Sequence, residues 1–385
     1  MIQIRSKLPN LGTTIFSQMS ALALQHNAIN LSQGFPNFDC DIALQNLCTH
    51  YINKGFNQYA PMAGVANLRQ VLSNKINNLY QSNYDFNEEI TITAGATQAL
   101  FTAITALVQE GDEVITIEPA YDCYQPAIAL CGAKNIPYTL RAENSWRIDW
   151  AEFALLISAK TSMIIINTPH NPTGSIWSKE DFAALYALIK DSNIIVLSDE
   201  VYEHLVFDKA KHHSILSFPA FRDRALATYS FGKTLHTTGW KLGYIVGDAR
   251  LMHEFRKVHQ YNVFSANTPF QYAIADYLST PAHYLSISEF FEKKRNTFLS
   301  LTQSVPFQWL PCEGTYFQVA DYSAVSNIND VDFAIWLTKE IGVAVIPISV
   351  FYTEAIKNQN LIRICFAKTD DVLQSAAERL TVLKA

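Results

Sequence analysis

Short apolar runs alternate along the chain with longer stretches whose apolar residues recur at helical spacing. Glu113-Val114-Ile115-Thr116-Ile117-Glu118 is a clear run, stopped by the turn signal Pro119. Met163 to Asn167 and Ile194 to Asp199 are two more. Runs this short, bounded by turn or polar residues, read as buried strands. Between the last two, Ser178 and Asp181 have capping-box spacing, and the helix they open is apolar at Phe182, Leu185, Leu188 and Ile189. Ala225 to Ser230 and Gly243 to Gly247 extend the strand series. Strands separated by amphipathic helices predict an α/β fold with a mostly parallel central sheet. Such a sheet binds ligands beyond the carboxyl ends of its strands, so the polar residues there are the first candidates for a site.

From about residue 281 the pattern changes. A helical stretch through Glu289 to Leu301 leads to a predicted strand from Thr315 to Val319. Asp330 is placed to cap a helix reaching Ile341, and Val343 to Ile346 and Leu361 to Phe366 read as strands. Thr369 opens a last helix. This predicts a large domain over residues 40–280 and a smaller α+β domain over 281–385, joined by the N-terminal arm of residues 1–39.

Composition narrows the class. At 385 residues and 49% apolar content the chain exceeds one ordinary compact domain. Charged residues are 17% and the net charge of −6 is dispersed, which predicts neither a nucleic-acid face nor a membrane-surface patch. Pro9, Asn10 and Gly12 interrupt any apolar signal segment, and no run approaches the ~18 apolar residues of a membrane span. The six cysteines form no C-x-x-C pair and read as free thiols, so a cytoplasmic protein is expected. No metal site is expected, because the histidines form no ligand cluster; His212-His213 reads as a surface loop.

The candidate chemistry centres on Lys233, in Ser230-Phe231-Gly232-Lys233-Thr234. A lone lysine is usually a surface residue. A nucleotide-binding P-loop is excluded, since the glycine required five residues before Gly232 is Ala227 here. Asp199 closes a predicted buried strand, with Tyr202 one turn on, and Arg363 lies inside an otherwise apolar strand, where a cation must find an anionic partner. Thr93-Ala94-Gly95-Ala96-Thr97-Gln98 precedes a helical run through Leu107, putting the Ala96 and Thr97 amides at a helix N-terminus suited to a phosphate.

Four segments together resemble the fold-type I, class I/II pyridoxal-phosphate-dependent aminotransferases: Asn167 to Gly174 (N-P-x-G), Ser198 to Glu203 (D-E-x-Y), Ser230 to Lys241, and Leu361 to Ala367. Lys7 to Phe16 and Asn30 to Pro36 resemble the methionine aminotransferases, near the kynurenine/glutamine branch. The resemblance implies pyridoxal 5′-phosphate held by Lys233 as a Schiff base, with Asp199 facing the ring nitrogen. It implies Asn171 and Tyr202 at the 3′ oxygen and Tyr121 on the ring face, although a turn role for Asn171 and core packing for Tyr121 stay open. Ser230, Lys241, Ala96 and Thr97 would hold the phosphate, together with Tyr59 reaching over from a neighbouring subunit, which implies a homodimer.

Arg363 would clamp the substrate carboxylate, which the Gly34 backbone approaches. Phe16, Tyr59, Tyr121 and, from a partner subunit, Phe264 would surround the substrate side chain. With no second cation there, methionine and other neutral or aromatic amino acids are the expected donors to a 2-oxo acid. Two alternatives stand beside this reading. One is a kynurenine/glutamine-type enzyme with β-lyase action on cysteine S-conjugates. The other is a non-catalytic ligand sensor, which should carry an extra DNA-binding segment or lack site residues.

Overall fold

The computed structural model describes residue 2 and residues 4–9, 11–354 and 359–384; Asn10 lies outside them. Its large sheet has seven strands: β1 (Ile90–Thr93), β2 (Glu113–Glu118), β3 (Lys134–Thr139), β4 (Thr161–Asn167), β5 (Ile195–Asp199), β6 (Ala225–Ser230) and β7 (Gly243–Gly247). In space they run β1-β7-β6-β5-β4-β2-β3. All neighbours from β6 to β3 are parallel, and β7 is antiparallel to both β1 and β6. The central strands are almost wholly buried because helices cover both faces. Burying each Val, Ile or Leu there contributes about 1.5–3 kcal/mol.

Two strands escaped the sequence pattern. β1 is only four residues long, and β3 contains Pro137. Pro137 is tolerated because β3 is an edge strand, with β2 as its only neighbour among the described residues. The Ser178–Asp181 capping box forms as expected and starts the helix Lys179–Ile189.

A second, antiparallel sheet contains β8 (Gln308–Trp309), β9 (Phe317–Asp321), β10 (Ile346–Pro347) and β11 (Leu361–Cys365), ordered β10-β11-β9-β8. The strand predicted from Thr315 begins two residues later, since Thr315 has a left-handed φ of 67° that an extended strand cannot hold. The run Val343 to Ile346 is divided. Val343–Ala344 pairs with Ile29–Asn30, whereas Ile346–Pro347 pairs with β11. Asn329, not Asp330, caps the helix Asp330–Trp336; the Asp330 carboxylate is drawn away by the Ser349 amide and hydroxyl.

The register decides what comes together. Asn167 pairs with Asp199, and Asp199 with Thr228, so β4, β5 and β6 end side by side. Asn167, Asp199 and Ser230 therefore meet at one rim, and a cavity of about 270 Å³ opens there.

Candidate active site

Lys233 occupies a single helical turn, Phe231–Thr234, directly after β6. Its Nζ donates to the Gly34 carbonyl (3.1 Å) and to the Tyr316 hydroxyl (3.0 Å), and Tyr316 itself donates to Gly34 (2.6 Å). Burial lowers its pKa to about 8, which brings the neutral, nucleophilic amine much closer to neutral pH than for an ordinary lysine. Asp199 is 3% exposed. Its Oδ2 accepts from the Tyr124 hydroxyl (2.7 Å) and its Oδ1 from the Val201 amide (3.3 Å). Burial outweighs those bonds and raises the carboxyl pKa to about 6. A cationic nitrogen placed against it would reverse that penalty.

At one end of the cavity the helix Ala96–Leu107 begins at Gly95, which has φ of 85° and supplies no capping side chain. The first amides of a helix lack intrahelical acceptors, so those of Ala96 and Thr97 are free to bind an anion. A Cβ on Gly95 would lie 3.6 Å from the Lys241 ammonium, which shows how near that cation stands to the helix end. A Cβ on Gly243 would meet the Ala96 amide nitrogen at 2.9 Å, so glycine in β7 permits the close approach. Ser230 lines the same end, and Thr97 Oγ1 lies 3.1 Å from the Tyr121 hydroxyl.

Arg363, on β11, is 2% exposed and reaches the cavity from the second sheet. Nη1 donates to Asn171 Oδ1 (2.8 Å) and Nη2 to the Ser32 carbonyl (3.1 Å), while Nε has no partner among the described residues. The guanidinium lies 3.9 Å from the Phe317 ring centroid, 5.1 Å from Phe351 and 5.3 Å from Phe16. Burial lowers its pKa to about 10, which leaves it charged at neutral pH. Neither hydrogen-bond acceptor is a carboxylate, so a buried ion pair does not explain this arginine. The arrangement suits a mobile anion instead.

The comparisons agree with this geometry. A family model described as aminotransferase class I and II matches residues 26–380. A methionine aminotransferase of Escherichia coli (strain K12) is 53% identical over 380 residues, covering 98% of each chain. The chain belongs to the class I and II aminotransferases. Its fold agrees with that of a solved E. coli structure described as having a methionine aminotransferase function, at TM-score 0.97 and 52% identity over 100% of both chains. N-succinyldiaminopimelate aminotransferase from Mycobacterium tuberculosis superposes at TM-score 0.95, with 35% identity over 99% of this chain and 100% of that one. A kynurenine–oxoglutarate transaminase of Dictyostelium discoideum is 34% identical, over 97% of this chain and 94% of its own.

Twelve residues named from the sequence line the aminotransferase cavity: Phe16, Gly34, Ala96, Thr97, Tyr121, Asn171, Asp199, Tyr202, Ser230, Lys233, Lys241 and Arg363. Two do not. Tyr59 is 82% and Phe264 48% exposed, and their rings pack edge to face 5.2 Å apart, away from this chain's own cavity. His212 is corrected: it does lie in a loop, but its side chain is only 5% exposed, turned inward so that its Nε2 lies 2.9 Å from the buried Glu200 carboxylate.

The sequence reading also missed several contributors. Tyr316 holds Lys233, and Tyr124 holds Asp199. Asn167 accepts from the Asn171 amide (2.7 Å) and donates to the Asp199 carbonyl (2.8 Å), fixing two site residues at once. Asn167 opens the stretch that leads into N-P-x-G, four residues before the motif's own Asn171. Tyr316 and Tyr124 carry no local signal that separates them from the chain's 18 tyrosines.

Proposed function

We propose that this aminotransferase uses pyridoxal 5′-phosphate, anchored on Lys233, to move the amino group of methionine and other neutral or aromatic amino acids to a 2-oxo acid. The observation that carries the reading is the Arg363 guanidinium, buried and charged with no carboxylate hydrogen-bonded to it among the described residues, in the same cavity as the Lys233 amine. One substrate carboxylate would satisfy it bidentately.

The residues present fit the cofactor. Buried Asp199 would face the ring nitrogen, Asn171 and Tyr202 the 3′ oxygen, and Tyr121 the ring face. The Ala96 and Thr97 amides, Ser230 and Lys241 would hold the phosphate, with Tyr59 of the partner subunit completing it. When bound, the cofactor supplies an electron sink for the pair released at the substrate Cα. The chain's own part is then positional and acid–base. Asp199 keeps the ring nitrogen protonated, Arg363 and Gly34 orient the substrate, and the Lys233 amine carries a proton to and from the substrate Cα.

The donor preference rests on the cavity wall. Among the described residues, the one charged side chain lining it besides Lys233, Lys241, Arg363 and Asp199 is Asp122, a carboxylate that would repel an acidic substrate side chain. Phe16 and Phe317 offer an apolar surface suited to a thioether. The names of the E. coli relatives support the same choice. Outward-facing Tyr59 and Phe264 support a homodimer with shared sites. No helix among the described residues is long and apolar enough to cross a membrane, which is compatible with a cytoplasmic enzyme. A large domain of residues 40–280 with a small domain of 1–39 and 281–385 agrees with the pairing of Ile29–Asn30 to Val343–Ala344.

A donor panel scored by conversion of the bound cofactor to its amine form tests the proposal, with Lys233→Ala as control. Methionine and aromatic donors should lead. Glutamate and aspartate as the best donors would overturn the preference. Pyruvate and ammonia released from cysteine S-conjugates without an acceptor would instead favour the β-lyase alternative.

A further inference from the structure

Asp199 and Tyr202 face the cavity, but the turn that carries them, Asp199 to His204, has a second side. Glu200 and Glu203 point away from the cavity into the interior and are 0% and 5% exposed. Each carboxylate is fully engaged. Glu203 accepts from Lys75 Nζ (2.5 Å), the Tyr80 hydroxyl (2.6 Å) and the Tyr244 hydroxyl (3.1 Å). Glu200 accepts from Ser198 (2.9 Å), the Ile215 amide (2.9 Å) and the Tyr229 hydroxyl (3.0 Å), with His212 at 2.9 Å.

Lys75 is the one ammonium in this cluster. It lies on the helix Ala66–Tyr80, donates also to Tyr244 (3.0 Å), and is surrounded by the rings of Tyr229, Tyr244 and Tyr284 at 5.8, 5.7 and 5.4 Å. The tyrosines are not spread at random. Tyr229 precedes Ser230 on β6, and Tyr244 follows Gly243 on β7, the glycine that lets the Ala96 amide approach. One buried ionic cluster therefore grips from behind two cavity-lining segments, the turn and the end of β6, and the start of β7, which backs the Ala96 amide. An apolar core could fill the same volume, and it would tolerate small shifts that fixed hydrogen-bond lengths do not.

We propose that Lys75 and Glu203 form a positioning pair that fixes the Tyr202 side chain against the bound cofactor. The proposal rests on the function above, in which the Tyr202 hydroxyl donates to the cofactor's 3′ oxygen. Losing that bond raises the pH midpoint of the bound cofactor's absorbance change, because the bond favours the deprotonated form. The pair belongs to no contact with substrate or cofactor, so its effect is transmitted through the turn.

The test uses the holoenzyme with Glu203→Gln, Lys75→Met and Tyr202→Phe, followed by absorbance titration and methionine kinetics. Both pair variants should raise the midpoint in the same direction as Tyr202→Phe and lower kcat by about tenfold or more, as a small displacement of a site group does, with KM changed less than about twofold. Adding Glu203→Gln to Tyr202→Phe should produce no further shift. Pair variants that melt earlier but keep the wild-type midpoint, while Tyr202→Phe moves it, would show a purely structural pair and overturn the proposal. A midpoint unmoved even by Tyr202→Phe would remove the Tyr202 role from the proposed function, and the pair with it. If the pair variants do not fold, Tyr80→Phe and Tyr244→Phe leave both charges in place; the first removes one bond, to Glu203, and the second removes two, to Glu203 and Lys75. They should give a smaller shift of the same sign, and wild-type midpoints in both would likewise overturn the proposal.

Discussion

Arg363 and Asn171 are joined by a 2.8 Å hydrogen bond, although 192 positions separate them in the chain. The bond ties β11 of the second sheet to the loop after β4 of the first, across the mouth of the cavity. Under the proposed function, a substrate carboxylate on Arg363 would thereby be held at a set distance from the Lys233 amine.

Arg363→Lys keeps the charge but loses the planar fork and the Asn171 contact. We expect kcat/KM for methionine to fall by about 10²-fold or more, as for truncation of a buried hydrogen-bonded charge partner. The bound-cofactor spectrum should stay unchanged. Steady-state kinetics with spectra recorded beside them check both parts.

Lys233 has a folded pKa of about 8 against an ordinary 10.5, so its burial as a cation opposes folding of the cofactor-free protein. The folded state binds fewer protons than the unfolded state between those values, and stability therefore rises with pH across that window. Lys233→Met should stabilise the cofactor-free protein at pH 7 by an amount on the order of 3 kcal/mol. That advantage should shrink as the pH is raised from about 8 towards 10.5. Melting curves of both proteins over this range provide the measurement, and a constant difference would contradict the burial of a charged lysine.

Asp122 lines the cavity, and Arg363 acts on it electrostatically. Asp122→Asn removes a negative charge from the region that a donor's side chain would enter. The ratio of kcat/KM for glutamate to that for methionine should rise by about tenfold, the effect of one partly screened charge at short range. An unchanged ratio in the donor panel would move the source of discrimination elsewhere.

Tyr59 reaches no part of its own chain's cavity. If Tyr59 completes a partner subunit's site as proposed, Tyr59→Ala should weaken cofactor retention. Subunits carrying Tyr59→Ala, mixed and reassembled with subunits carrying Lys233→Ala, should regain activity, because each mixed dimer then assembles one intact site. No gain on mixing would mean that sites are not shared.

Legibility followed the locality of each cause. Lys233, Asp199, Asn171 and Arg363 sit in short segments whose residue types and order carry the chemistry, and all four line the cavity. β2, β6 and β7 were visible as apolar runs of the right length. His212 was misread because nothing beside it in the chain announces Glu200, which folds back against it.

The sequence by itself determined the α/β class, the segments that form the site and the residues with the right chemistry, since periodicity, caps and motif spacing are local properties. Only the tertiary structure decided that Val343 to Ile346 serves two sheets, that Tyr316 holds Lys233, and that Lys75 and Glu203 lie behind Tyr202. The physical reason is that strand register and burial are set by partners distant along the chain. A buried charge finds its partner wherever packing brings one, at 128 positions' separation for Lys75 and Glu203 and 192 for Arg363 and Asn171.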